Sequence, residues 1–171
     1  MLKTTSSTKT KTLEDLFEHA LKDIYYAEKK IYKSLPKMIK ATHDDGLRQG
    51  LEDHRGETEQ HISKVEQVFG LLEKSPKGEK CDAIDGILEE ADGILKDFGK
   101  SKSCDAAIIF SAQAVEHYEI TRYGSMHAYA LALGLNEAAE LIESILAQEK
   151  AADDKLTDLA EERINHAAEM N

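Results

Sequence analysis

The chain is short of the residues that break or cross-link a fold. Its 171 residues include 2 Pro, 10 Gly, 2 Cys and no Trp. So little proline and glycine excludes collagen-like and low-complexity classes. Two cysteines, Cys81 and Cys104, cannot build a disulfide framework or a zinc finger. No apolar run reaches the about 18 residues of a membrane span, and Met1 to Thr12 lacks the apolar core of a signal peptide. Positive charge is in deficit: 22 Lys plus Arg face 33 Asp plus Glu, a formal charge of −11. That balance argues against duplex nucleic acid as a partner, which needs a basic footprint. Lys3, Lys9 and Lys11 in the N-terminal tail are a weak counterweight. Aromatic residues at 6% leave little for a base-stacking surface. G-x-S-x-G, P-loop and G-x-G-x-x-G patterns are all missing. These absences describe a soluble, cytoplasmic protein that neither spans a membrane nor binds nucleic acid.

What remains is helical. Apolar residues make up 41% of the chain, enough for the core of one domain. Residues 1–11 are rich in Ser, Thr and Lys and read as a disordered tail. From Thr12 a stripe of Leu13, Phe17, Leu21, Ile24, Ile31, Leu35 and Met38 marks a first amphipathic helix, which Pro36 should kink or bulge. Leu47, Leu51, Val65, Val68 and Leu72 mark a second, after Asp44-Asp45-Gly46 and before Ser75-Pro76-Lys77-Gly78. A shorter helix covers roughly 81–98. A third long one starts near Asp105 and stops at Gly134, and a fourth starts near Asn136. The expected fold is all-α: an antiparallel ferritin-like four-helix bundle of two hairpins, with a short helix in the connection between them. The domain spans 12–165, and 166–171 should fray.

Each long helix breaks its apolar stripe near the middle. The first has Glu28. The second has His54, Glu57, Thr58 and His61. The third has Glu116 and Glu119, and the fourth Glu149 and Asp153. Residues three or four apart share a helix face, so each cluster points one way. Glu28 and Glu57 lie about equally far from the first turn, as do Glu119 and Glu149 from Gly134, so all four clusters should meet at one level. The hairpins also look like a repeat: Glu28 with Tyr32 matches Glu119 with Tyr123, and Glu57 with His61 matches Glu149 with Asp153. Close carboxylates cannot all stay ionised without a cation. Dinuclear iron or manganese sites in helical bundles supply one, using single acids from two helices and an acid-plus-ligand pair from each of the others. Glu28 and Glu119 would be the single acids; Glu57 with His61 and Glu149 with Asp153 would be the pairs, spaced i, i+4 rather than i, i+3. Such an oxygen-rich shell suits two ions of iron or, second, manganese. His54, Glu116, Tyr32 and Tyr123 are expected around the ligands or as substitutes for them. His61 divides evenly between ligand and packing residue.

The motifs Tyr25-Tyr26-Ala27-Glu28-Lys29-Lys30, Leu35-Pro36-Lys37-Met38, Val115-Glu116-His117-Tyr118-Glu119-Ile120 and Glu149-Lys150-Ala151, with His54, Glu57-Thr58, Asp153 and the segment from Cys81 to Glu90, resemble the YciE/YciF-type stress proteins of the ferritin-like superfamily. The resemblance covers about Thr12 to Ala160. It implies a rubrerythrin-like bundle, a candidate dinuclear metal site, a homodimer and a role in stress response. Three functions follow as expectations. One is a redox protein whose metals react with O2 or peroxide or oxidise Fe(II). Another is metal sequestration without turnover. The third is a metal-free helical interaction module.

Overall fold

The computed structural model describes residues 10–169. Helix α1 spans Leu13–Ala41, α2 Asp45–Leu71, α3 Asp82–Phe98, α4 Cys104–Ala132 and α5 Asn136–Leu159; a π-helical turn, Ala160–Ile164, leads into α6, Asn165–Glu169. No strand occurs among the described residues. The expected tail lies almost wholly outside them; Thr10 and Lys11 are exposed and irregular. The expected C-terminal fraying falls on a stretch that is helical as far as Glu169, with the last two residues outside the description.

Local chemistry accounts for the helix ends. Thr12 and Asp15 form a reciprocal capping box, Thr12 Oγ1 accepting from Asp15 N at 3.2 Å and Thr12 N donating to Asp15 Oδ2 at 2.9 Å. Asp44 caps α2 by accepting from Leu47 N at 2.8 Å; such caps contribute about 1 kcal/mol each. Gly134, at φ 72°, ends α4 in the left-handed conformation that glycine adopts without strain. Pro36 sits on the exposed face of α1, and the helix runs through it to Ala41 rather than breaking. The widened turn lies instead at Ala160–Ile164. From it Arg163 Nη2 donates to Asp44 Oδ1 at 2.8 Å, tying the chain's end to the cap of α2.

The hairpins α1/α2 and α4/α5 pack side by side, α1 against α4 and α2 against α5, with α3 laid over α1 and α4. Asp105, at the start of α4, accepts from the backbone N–H groups of His43 and Asp44 at 2.8 and 2.9 Å, locking the first turn to the second hairpin. Tyr26 donates to Asp85, and Lys37 meets Asp92 at 2.5 Å, pinning α3 to α1.

The two ends of the bundle are packed differently. At the Gly134 end, Phe17, Leu21, Ile24, Phe69, Met126 and Ile142 are fully buried, each contributing about 1.5–3 kcal/mol. Tyr25 packs edge-on against Phe69, ring centroids 5.6 Å apart. At the Asp44 end, Ser111, Ala112, Ala151 and Ala152 face a cavity.

Candidate metal centre

The centre sits between these ends, and helical phase decides its membership. On α2 the buried positions include Leu51, His54, Thr58, His61, Val65 and Val68, an alternation of three- and four-residue steps that keeps one stripe facing inward. His54 and His61 therefore project into the bundle. Glu28 from α1, Glu116 and Glu119 from α4, and Glu149 from α5 join them, and all six are buried.

These six form two overlapping groups of ligand atoms, each within 4.8 Å: Glu28, His61 and Glu149 in one, and His54, Glu116, Glu119 and Glu149 in the other. Glu149 belongs to both. His61 Nδ1 lies 2.9 Å from Glu149 Oε1 and 3.6 Å from Glu28 Oε1. His54 Nε2 lies 3.3 Å from Glu116 Oε1. Despite these distances, few of the atoms are aligned for hydrogen bonds. His54 Nδ1 and Nε2, His61 Nδ1, Glu28 Oε2, Glu116 Oε2, and both oxygens of Glu119 and of Glu149 are buried without a hydrogen-bond partner. Buried polar atoms are ordinarily satisfied, so this concentration of buried carboxyl and imidazole groups is unusual.

The electrostatics agree. Burial, reinforced by the neighbouring Glu149, pushes Glu116 and Glu119 well above the usual carboxylate range. Burial also raises Glu28, although His61 pulls the other way. Burial opposes charge on His61, but the Glu149 and Glu28 carboxylates outweigh it and push His61 up to about 10. The second ring nitrogen, Nε2, lies 3.3 Å from Gln148 Oε1, an acceptor that leaves Nδ1 aimed at the carboxylates. Tyr123, fully buried, donates its hydroxyl to Glu28 Oε1.

Two residues expected as ligands stand apart. Glu57 precedes the inward-facing Thr58 by one residue, a rotation of about 100°. Its side chain is 38% exposed and lies 3.8 Å from His54 Nδ1. The His54 imidazole holds it below the usual carboxylate range. Asp153 follows Ala152, which fills the inward position four residues before Leu156. Its carboxylate accepts from Gln113 Nε2 at 3.1 Å and meets His117 Nε2 at 3.0 Å, bonding across to α4 on the outside of the site. Tyr32 also stands away, under the Arg55 guanidinium at 4.5 Å. His54 and Glu116, expected around the ligands or as substitutes for them, are members of the second group. The signal that marks His54 is its seven-residue spacing from His61 on the buried stripe of α2.

A third cluster, His43, Cys104 and Asp105, lies at the Asp44 end. The two Asp105 oxygens there are already engaged by backbone N–H groups. It is a structural junction between hairpins.

Comparison with known proteins places this architecture. The family described as Domain of unknown function (DUF892) matches residues 12–169. The chain is 42% identical over 160 residues to Protein YciF of Escherichia coli (strain K12), covering 93% of this chain and 96% of that one. Among solved structures it is similar to the E. coli stress protein YciF, with a TM-score of 0.86 and 41% identity over 91% of this chain and 99% of that one. It is also similar to YcfI of Rhodopseudomonas palustris, with a TM-score of 0.85 and 46% identity over 88% and 96% of the two chains. A protein of Xanthomonas campestris pv. campestris shares the fold alone, at 23% identity and a TM-score of 0.70.

Proposed function

The chain belongs to the DUF892 family, as a homologue of the E. coli stress protein YciF, and from that premise we propose that its core holds two metal ions, iron or manganese, in a carboxylate-rich dinuclear centre. The observation that carries this reading is the set of buried, unpartnered carboxylate and imidazole atoms in two groups that share Glu149. Leaving such groups buried and unsatisfied costs several kcal/mol; a cation shared among them removes that cost. Four carboxylates and two imidazoles are a donor set suited to iron or manganese.

Glu28 and His61 would hold one ion, His54, Glu116 and Glu119 the other, and Glu149 both. When bound, a pair of such ions supplies one-electron chemistry toward O2 or peroxide. The protein's own part is orientation and proton handling. Tyr123 fixes Glu28 through its hydroxyl, and Gln148 fixes the His61 ring. Burial pushes Glu116 and Glu119 well above the usual carboxylate range, so each would have to give up any proton it holds in order to ligate an ion.

A metal-free interaction module would also show raised carboxylates. In that reading Glu119 is a neutral acid bonded to Glu28, and the protein takes up no metal.

Elemental analysis after anaerobic Fe(II) loading tests the reading. About two ions per chain are expected, and none in Glu149→Ala. Wild-type protein that retains no metal would sink it. Rapid O2 or peroxide consumption by the loaded protein then separates redox chemistry from sequestration.

A further inference from the structure

Between the centre and the Asp44 end lies a cavity of about 190 Å³. Leu35, Leu51, Leu88, Ile108 and Leu156, one from each of the five main helices, line it. It exists because small residues stand where the helices converge: Ser111 and Ala112 on α4, Ala151 and Ala152 on α5, and Ala91 on α3. Nothing comparable to Phe17, Phe69 or Tyr123 fills this end.

The lining changes character at the centre. There it is made by His54 and Glu116, 6% and 3% exposed, whose His54 Nδ1 and Nε2 and Glu116 Oε2 lack hydrogen-bond partners. Toward solvent the lining is Gly50, Asp53 and Lys155. Lys155 Nζ lies 3.6 Å from Asp53 Oδ2, so this rim offers no unpaired charge. The Glu57 carboxylate on the wall repels an anion, and the aliphatic walls disfavour any ion.

An apolar cavity of about 150 Å³ takes up benzene. The geometry points to a binding site for one compact, neutral, apolar molecule, of the size of a monosubstituted benzene, seated among Leu51, Ala112 and Leu156 with one edge against His54 and Glu116. Such an occupant lies beside the second ligand group, making this molecular class the substrate class of the centre. That last step rests on the proposed metal site; the occupancy of the cavity does not.

Toluene titrated into metal-free full-length protein is the test. Saturable binding is expected, with intermolecular NOEs to the Ala112 and Ala152 methyl groups. Ala112→Phe should weaken it about tenfold or more while the far-UV CD spectrum is retained. Should that variant not fold, the NOEs in the wild-type protein decide alone. No saturable binding, or NOEs to other residues only, overturns the site. Benzoate should bind about tenfold more weakly or worse; equal binding overturns the neutral class. With Mn(II)-loaded protein, proton relaxation of bound toluene should be enhanced. Mn(II) bound without enhancement overturns the adjacency. A protein that takes up no Mn(II) overturns the metal centre and leaves the toluene result standing.

Discussion

The two ends of the bundle share helices and differ in what those helices carry. At the Gly134 end, Tyr123, Phe17 and Phe69 fill the axis, and the group Glu28, His61 and Glu149 beneath them has no exposure at Glu28, His61 or Glu149. At the Asp44 end, the axis is lined by alanine and serine, and the group with His54 and Glu116 faces the cavity. One group of candidate ligands is therefore sealed by packing, and the other faces a cavity the size of a small ring. Under the proposed function this asymmetry would let a reactant approach the centre from one side.

The largest effect should come from removing the residue the two groups share. Glu149→Ala is expected to abolish metal binding at both positions, taking about two ions per chain to none by elemental analysis. Glu57→Ala and Asp153→Ala should each retain metal, because Glu57 is 38% exposed beside His54 and Asp153 is bonded to Gln113 and His117. Loss of both ions in Glu57→Ala would break the assignment of the open side to Glu116 and Glu119.

Next in size is the pH dependence of the metal-free protein. Glu28, Glu116 and Glu119 all bind protons more tightly folded than their ordinary value of 4.5, and His61 is raised from 6.5 to about 10. In each case the folded state holds more protons than the unfolded one. Their stabilising contribution is full below the unfolded value and is lost as pH rises through the folded one. Glu57, lowered by His54, acts with the opposite sign but only at acid pH and is partly exposed. The Tm of metal-free protein should therefore fall steadily from about pH 5 to about pH 9, whereas metal-loaded protein should show a flatter profile. A metal-free Tm that rises over that range would contradict the buried-acid arrangement.

Phe69→Ala probes the sealed end directly. Phe69 is 0% exposed and packed against Tyr25, and truncating such a ring costs about 3–5 kcal/mol. Urea denaturation reads this as a lower midpoint.

Helix periodicity made most of the architecture legible. The apolar stripes, the turns at Asp44 and Gly134 and the short helix before α4 all lie within a few residues of where the sequence places them. Glu28, Glu119 and Glu149 were legible among the acids that interrupt the stripes, and all three are buried. Glu57 and Asp153 fall outside the two buried groups for one physical reason. Four-residue spacing from a ligand leaves a residue on the same broad face, but one position of phase, about 100°, separates the bundle axis from its flank. Thr58 and Ala152 hold the inward positions, and both are too plain to attract notice. His54 was legible only by extending the three-four alternation from Leu51 to Val68. The π-helical turn at Ala160–Ile164, and the reach of Arg163 to Asp44 that it permits, have no local signature in the sequence. Neither does the cavity, since an alanine facing the axis reads the same whether its neighbours close over it or not.

The smallest effect is also the sharpest discriminator between the two ends. Ala130 and Ala112 both lie on α4. Ala130 is 0% exposed near the sealed end, whereas Ala112 lines the cavity. Ala130→Leu forces about three extra carbons into filled space and should cost about 1–3 kcal/mol. Ala112→Leu places the same carbons in a void of about 190 Å³, where new contacts with Leu51 and Leu156 offset the lost freedom. Its stability should change by less than about 1 kcal/mol. The discriminating quantity is the difference between the two urea midpoints. A large penalty at both positions would mean that the Asp44 end closes in solution, and an equal tolerance at both would mean that the Gly134 end is not sealed. Only the unequal pair leaves one ligand group buried and the other approachable.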